Sequence, residues 1–177
     1  LKVLFVLIQN FDPIRGGVEK STFKISTYLA EQGYDCHVYS LDNTTDYENS
    51  KLTIHHSEKP GNFKNPVNTQ HLSALIRDMK PDVVLNQSSY YLNTHISDAV
   101  AEVDAIYLAC LRQSLFMFKD NYELQIAKLN PAILRKVLLL PLAKKFMLKR
   151  HYRRQGEILR LILDTHDRYI MLTPSNI

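Results

Sequence analysis

The chain has 177 residues, of which 45% are hydrophobic and 23% charged, and its formal net charge is +4. These values are typical of one globular domain and exclude a disordered chain, a collagen-like repeat and a disulfide scaffold. No apolar run approaches the ~20 residues that a membrane-spanning helix needs, and no basic leader precedes the first apolar segment, which argues against a signal peptide.

The first part of the chain alternates strand-like and helix-like segments. Residues 3–8 are continuously apolar, which is typical of a central parallel strand covered on both faces. Helical spacing relates four residues of the next segment, which Gly33 is expected to end: Val18, Thr22, Ile25 and Leu29. Three more strands are predicted at residues 36–41, 53–56 and 82–87.

Helix signals continue between these strands and after them. Asn65-Pro66 predicts the start of a helix, because proline is well placed in a first turn, and this helix is expected to end before Pro81. Helical spacing also relates three later residues: Leu92, Ile96 and Val100. Residues 105–111 predict another buried strand. Repeated strand–helix units require right-handed crossovers and therefore a parallel sheet.

The last third of the chain is mainly helical before it returns to a strand. A helical segment opens at Asn130-Pro131 and is expected to be interrupted by Pro141, and a final strand is predicted at 168–173. We therefore predict an α/β fold over residues 1–177. It is a single Rossmann-like domain whose parallel sheet is flanked by helices, with a basic helical insertion before the last strand.

Two features of the sequence suggest where the chain comes from. Cys36 and Cys110 fall in apolar strand-like segments, so we expect buried free thiols, as in a reducing cytoplasm. The chain begins without Met and ends at Ile177 just after a predicted strand. We expect it to be a piece of a longer protein.

Positive charge is concentrated in residues 124–156, which hold nine bases and no acids, whereas the other 144 residues hold 13 bases and 18 acids and carry a net −5. Apolar residues alternate with these bases. An anionic membrane surface is one partner that fits such a segment; the alternative is a solvated helix pair whose apolar side covers the sheet. No recognition motif accompanies the charge, so nucleic acid is not expected. Membrane contact is assigned to six bases: Arg135, Lys136, Lys144, Lys145, Lys149 and Arg150.

A candidate ligand site follows the first predicted strand. Arg15-Gly16-Gly17-Val18-Glu19 places two glycines directly before a helix, where the backbone can approach a ligand and the first N–H groups can face an anion. A plain turn is the alternative. The sequence contains neither a G-x-G-x-x-G motif after this strand nor a Walker motif, so hydride transfer and P-loop hydrolysis lose their main support.

Four segments, in chain order, resemble family 4 retaining glycosyltransferases with the GT-B fold. The first is Gly16-Gly17-Val18-Glu19, which is similar to the glycine-glycine-x-glutamate stretch that opens the first helix of that family. The others are similar to its L-A-x-x-G-H-x-V, K-P-D-V-V-H and D-x-x-I-x-L-S segments and lie at residues 29–39, 80–84 and 167–173.

The resemblance implies that this chain is the N-terminal, acceptor-side domain of a two-domain enzyme. The family's E-x7-E signature belongs to the C-terminal donor domain, and no pair of glutamates here has that spacing. We therefore expect the donor domain to lie outside this chain and the chain alone to be inactive. The implied activity is the transfer of a sugar, with retention, from a nucleotide-sugar donor to a glycan or lipid-linked acceptor in polysaccharide biosynthesis.

Two other functions stay open, namely a GT-B-like sugar-nucleotide epimerase and a non-catalytic binding domain. The implied location is the cytoplasm, with contact to the inner face of the membrane. The nucleotide sugar is a substrate, so no cofactor is expected. No metal is expected either, because His55 and His56 are neighbours on a strand and point to opposite faces.

The resemblance also implies which residues contact substrate or phosphate at the strand ends: Arg15, Gly16, Gly17, Glu19, Gln87, Ser88, Arg112 and Gln113. The family often has histidine at the end of its fourth strand and after its fifth, where Asn86-Gln87 and Arg112 stand here. No catalytic residue is assigned, because in a retaining reaction the departing phosphate oxygen can itself take the acceptor proton. Arg112 could steady phosphate charge, or be a surface arginine.

Overall fold

The computed structural model describes residues 1–8, 10–14, 16–41, 49–62, 65–87, 96–111, 126–127, 138–165 and 167–171. The strands within these residues are β1 (Lys2–Leu7), β2 (Asp35–Ser40), β3 (Thr53–His56), β4 (Val83–Asn86), β5 (Ile106–Leu111) and β6 (Arg168–Met171). The helices are α1 (Gly17–Glu31), α2 (Pro66–Met79), α3 (Ser97–Glu102) and α4 (Pro141–Thr165).

The chain divides into two compact units. The first comprises residues 1–112 and 162–172 and contains the sheet with α1, α2 and α3; the second comprises residues 113–161 and 173–177 and contains most of α4.

The six strands form one sheet in the order β3-β2-β1-β4-β5-β6, and every neighbouring pair is parallel. This is the strand order of doubly wound Rossmann folds, which confirms the predicted α/β class. The order reverses between β1 and β4, where Val6 is in register with Asn86. A crevice for ligands is expected beyond the carboxyl ends of these two strands.

Each face of the sheet is covered by its own apolar cluster, which explains the continuous apolar run of β1. Leu4 and Val6 belong to a cluster that includes Leu72 and Ile76 of α2. The alternate β1 residues belong to a second cluster, against which residues of α1 pack: Val3, Phe5 and Leu7. The predicted buried thiols are confirmed, since Cys36 and Cys110 are both free and buried in this second cluster.

The buried face of α1 differs from the predicted stripe. Its buried residues are Glu19, Thr22 and Ser26, whereas Ile25 is 43% exposed. The helix predicted from this spacing is confirmed, but Ile25 does not belong to its buried face. Residues 19, 22 and 26 also recur at helical spacing. The side of α1 that they form faces the sheet, and Ile25 lies next to this side. The side of α1 that faces the sheet therefore buries the small polar side chains of Thr22 and Ser26, whereas Ile25 is exposed.

The helix boundaries follow local chemistry. The Asn65 side chain accepts a hydrogen bond of 3.0 Å from the Val67 N–H, and Pro66 is the first residue of α2, as predicted. Gly33 follows α1 with a φ of 86°, which confirms its expected role at the helix end. The helical segment is interrupted just before Pro141, as predicted: residue 138 is helical, 139–140 are not, and Pro141 begins α4, where its missing N–H has no partner to lose in a first turn. The predicted start at Asn130-Pro131 lies outside the described residues.

Asn68 of α2 connects two loops at the carboxyl ends of β2 and β3. Its side chain is fully buried. The side-chain oxygen accepts a bond of 2.8 Å from the Lys59 N–H. The side-chain nitrogen donates to the carbonyls of Leu41, Lys59 and Asn62 at 3.0, 2.9 and 3.1 Å. One amide therefore satisfies four backbone groups that no strand or helix pairs.

We expect Asn68→Ala to lower the free energy of unfolding by about 3 kcal/mol, because it removes four hydrogen bonds to the backbone and takes away the partner of the buried Leu41 carbonyl. The matched variant Asn65→Ala removes one cap hydrogen bond from the same helix and should cost about 1 kcal/mol. Urea unfolding of the wild type and both variants measures the difference. Equal losses in the two variants would contradict the role given to Asn68.

Candidate functional site

The carboxyl ends of β1 and β4 meet at the point where the strand order reverses. The Gln87 N–H donates a 2.9 Å hydrogen bond to the Val6 carbonyl and extends the pairing by one residue beyond β4. The chain leaves β1 at this same edge and returns as α1, whose first residue is Gly17. The α1 N-terminus and Gln87 therefore border one edge of the sheet.

The two glycines at the start of α1 have different surroundings, although both are exposed. A Cβ on Gly16 would lie 2.0 Å from Glu19 Oε2, because the Glu19 carboxylate folds back over this residue. A Cβ on Gly17 would meet nothing within 4 Å. Glu19 is only 3% exposed, and a carboxylate in the first turn favours the helix through its dipole. The space over Gly16 is thus occupied, whereas Gly17 is open to a ligand.

Asn86 and Gln87 are both buried at the end of β4, but their side chains differ in pairing. Asn86 Nδ2 donates a 3.2 Å hydrogen bond to the Tyr107 hydroxyl. Burial raises the pKa of Tyr107 well above its ordinary value, although the bond from Asn86 opposes the shift. Gln87 is 3% exposed, and neither of its amide atoms has a hydrogen-bond partner among the described residues.

Side-chain alternation places Gln87 on the α1 face of the sheet. Leu85, two residues earlier, belongs to the cluster packed against α1, whereas Val84 belongs to the opposite cluster. Thr22 lies on the buried side of α1, and its hydroxyl oxygen also has no partner among the described residues. The buried polar side chains of this face thus include those of Glu19, Thr22, Ser26 and Gln87. Sequence reasoning missed Thr22 because its spacing fits a core stripe equally well.

The predicted site residues are only partly within the structure. Gly16, Gly17, Glu19 and Gln87 are described and border the same edge of the sheet, as expected from their positions after β1 and β4. Four others lie outside the described residues: Arg15, Ser88, Arg112 and Gln113. Substrate contact by these eight residues stays a prediction.

Histidines occupy the outer part of the sheet. His37 Nδ1 of β2 lies 3.0 Å from His55 Nε2 of β3, and their rings stack with centroids 5.2 Å apart. His71 Nδ1 lies 3.2 Å from the Tyr39 hydroxyl. Burial, and then the charges of His37, His71 and His56, lower the pKa of His55 to about 4. Within the described ranges, no group of three His, Cys, Asp or Glu side chains could hold a metal ion.

The basic helix α4 belongs largely to the second unit. It contains seven bases and two acids. Leu142 and Phe146 are 83% and 65% exposed, and a surface pocket of about 590 Å³ is lined by four residues at helical spacing: Phe146, Lys149, Arg150 and Arg153. Lys145, Lys149 and Arg150 are exposed and Lys144 is half-buried, whereas Arg135 and Lys136 lie outside the described residues. None of the helices that the structure describes is long and apolar enough to cross a membrane.

Comparison with known proteins gives one family match, which lies within the first unit, and structural similarity over a larger part of the chain. Residues 17–97 match the family model described as glycosyl transferase 4-like, and this confirms the resemblance over that segment. No curated protein matches the chain. Among solved structures, the Glycyrrhiza uralensis protein UGT73P12, complexed with glycyrrhetinic acid 3-O-monoglucuronide, aligns over 74% of this chain with 17% identity and a TM-score of 0.44. The chain spans 33% of the length of that protein.

The two glycines should respond differently to alanine. We expect Gly16→Ala to lower the free energy of unfolding by about 1 kcal/mol, because it displaces the buried Glu19 carboxylate. Gly17→Ala should raise it by about 0.5 kcal/mol, since alanine restricts the unfolded chain and meets no atom in the folded one. Chemical denaturation measures both. In a Glu19→Ala background the cost of Gly16→Ala should largely disappear, and an unchanged cost would contradict displacement of the carboxylate.

We also expect stability to fall as the pH is lowered from about 6.5 toward 4. The pKa of His55 is lower in the folded state than in the unfolded chain, so in this range the unfolded chain binds a proton that the folded protein does not. The ring is half-exposed, which limits the effect to about 1 kcal/mol. Thermal unfolding at pH 7 and pH 4.5 measures it. His55→Gln should reduce the pH-dependent difference, and the control His56→Gln should retain it.

Proposed function

We propose, from the match of residues 17–97 to the glycosyl transferase 4-like family, that this chain forms the N-terminal, acceptor-side half of a GT-B glycosyltransferase. The whole enzyme transfers a sugar from a nucleotide-sugar donor to a glycan or lipid-linked acceptor, with retention at the anomeric carbon. The family match carries this proposal. The Rossmann-like strand order supports it, because that order leaves a ligand crevice beyond β1 and β4.

The described edge residues have distinct roles in this proposal. Gly17 lets the backbone at the start of α1 approach a phosphate of the donor, and the positive end of the helix dipole favours that charge. Glu19 fixes the first turn from its buried position over Gly16. Gln87 contacts the acceptor from the end of β4. Arg15, Ser88, Arg112 and Gln113 complete the same edge in the proposal.

In the proposed reaction the N-terminal half holds the acceptor and does not need to supply a base. In the retaining reaction the bond from the anomeric carbon to the phosphate oxygen breaks, and the acceptor oxygen bonds to the same carbon. The departing phosphate oxygen takes the proton of the acceptor hydroxyl. Positioning and charge stabilisation then lower the barrier, so the absence of an assigned histidine is consistent with the proposal. A second domain supplies the donor site.

We further propose that α4 holds the enzyme at the inner, anionic face of the cytoplasmic membrane. The excess of bases on α4 and the exposure of Leu142 and Phe146 support this part of the proposal. A basic segment with exposed apolar side chains binds such surfaces through both charge and apolar contact. At the membrane surface the enzyme would be close to an acceptor that is anchored there by its lipid.

The enzymatic proposal predicts that full-length protein releases nucleoside diphosphate from a panel of nucleotide sugars only when an acceptor extract is present. Residues 1–177 alone should release none, because the donor site lies in the other half. Conversion of the donor without any acceptor would instead indicate an epimerase. Sugar transfer by residues 1–177 alone would contradict the two-domain assignment.

The membrane proposal predicts recovery of the full-length protein with floated vesicles that contain anionic lipid, and poor recovery with neutral vesicles. Replacing Lys144, Lys145, Lys149 and Arg150 by Gln should lower the partition coefficient at least about tenfold, since each base near the surface contributes about 1 kcal/mol. A control replaces four bases outside α4 by Gln: Lys20, Lys24, Lys51 and Lys80. Both variants lose the same charge, so equal losses of binding would contradict a specific role for α4.

A further inference from the structure

We infer that Gln87 is a specificity-determining residue that binds the neutral hydroxyl groups of a sugar. The inference rests on the proposed function, which gives this edge of the sheet to the acceptor, and it adds the chemical class of the group that is recognised.

The first support is a buried amide without partners. Gln87 is 3% exposed, and among the described residues neither its nitrogen nor its oxygen has a hydrogen-bond partner. Buried polar groups in folded proteins are nearly always hydrogen-bonded, because an unpaired one loses its bonds to water without replacement. A ligand that bonds to the amide restores the lost interactions.

The second support is that the polar groups next to this amide are hydrogen-bonded. The Gln87 backbone N–H is held by the Val6 carbonyl at 2.9 Å. The neighbouring Asn86 amide is equally buried but donates to Tyr107 at 3.2 Å. The same strand end therefore supplies a partner for one amide and none, within the described residues, for the next. The backbone of Gln87 is fixed where the strand order reverses, so its side chain is pre-positioned.

The third support is that other buried polar side chains lie on the same face of the sheet as Gln87. Side-chain alternation places it on the α1 face, which also carries buried Glu19 and the Thr22 hydroxyl, and the Thr22 oxygen too has no partner within the described part of the chain. A polar ligand at this edge of the sheet would supply partners to both unpaired groups.

The chemistry of the amide selects the ligand. Its nitrogen donates and its oxygen accepts, so both atoms are satisfied only by a group that does both. A phosphate dianion only accepts, and it would leave the amide oxygen unpaired beside a negative charge. Neighbouring sugar hydroxyls accept from the nitrogen and donate to the oxygen. Gln87 therefore favours a sugar over a phosphate.

Gln87→Met in the full-length protein tests this inference, because methionine keeps the length of the side chain and removes both hydrogen-bonding atoms. The probes are the methyl glycosides of glucose, galactose, mannose and N-acetylglucosamine, and binding is measured by saturation-transfer NMR. We expect the wild type to bind at least one of them and the variant to bind it at least about tenfold more weakly. The melting temperature of the variant should rise by a few degrees, because an unpaired buried amide is lost.

The control is Gln70→Met, the same change at an exposed position of α2, which should alter neither quantity. A second variant, Gln87→Glu, applies even if the methionine variant does not fold. Its binding should strengthen as the pH falls, since only the protonated carboxyl both donates and accepts. A purely structural glutamine would not produce that pH profile.

Three outcomes would overturn the inference: no glycoside binding by the wild type, unchanged binding by Gln87→Met, or displacement of the bound glycoside by inorganic phosphate at equal concentration. The proposed function fails separately, through the absence of acceptor-dependent release from any nucleotide sugar. A protein that binds a glycoside through Gln87 and transfers nothing would retain the sugar site and exclude the enzyme.

Discussion

The parallel pairing of β1 with β4 sets the arrangement of the first unit. Since β1 has a neighbour on each side and helices above and below, its residues must be apolar on both faces, and the run from Val3 to Leu7 meets that requirement. The chain can leave β1 only toward one covering layer and β4 only toward another. Their carboxyl ends therefore lie between diverging connections, where a ligand crevice is expected, and the start of α1 and Gln87 border this edge.

The side of α1 that faces the sheet combines polar and apolar residues. Thr22 and Ser26 are buried between the helix and the sheet, beside larger α1 side chains such as Phe23 and Leu29. On the other face of the sheet α2 contributes the fully buried Leu72 and Ile76. The α1 face also carries buried polar atoms without partners among the described residues, and such atoms are unfavourable until a ligand binds.

The sequence allowed the fold to be predicted wherever local chemistry decides. The apolar run of β1, the Asn65-Pro66 helix start and Gly33 each have a nearly sufficient local cause, and the structure confirms them. The exposure of Ile25 could not be predicted, because a helix can rotate by a fraction of a turn without changing its spacing. The interruption at Pro141 was predictable for a local reason, since proline cannot continue a helix but fits the first turn of a new one.

The site was harder to predict, because side-chain contacts between neighbouring strands depend on their register, which the sequence of one segment does not determine. The position of Gln87 after a strand was sufficient to nominate it. That Asn86 would find Tyr107 and Gln87 would find no partner in the described structure depends on the register of β4 against β5. The contact of His37 with His55 likewise requires the register of β2 against β3, which no single segment encodes.

The short β3 strand has a consequence for how the protein behaves in a crowded solution. It is four residues long and forms one margin of the sheet, with exposed Thr53 and His56 along it. A brief, polar margin offers few consecutive backbone groups to a passing chain, so it is a poor template for intermolecular sheet growth.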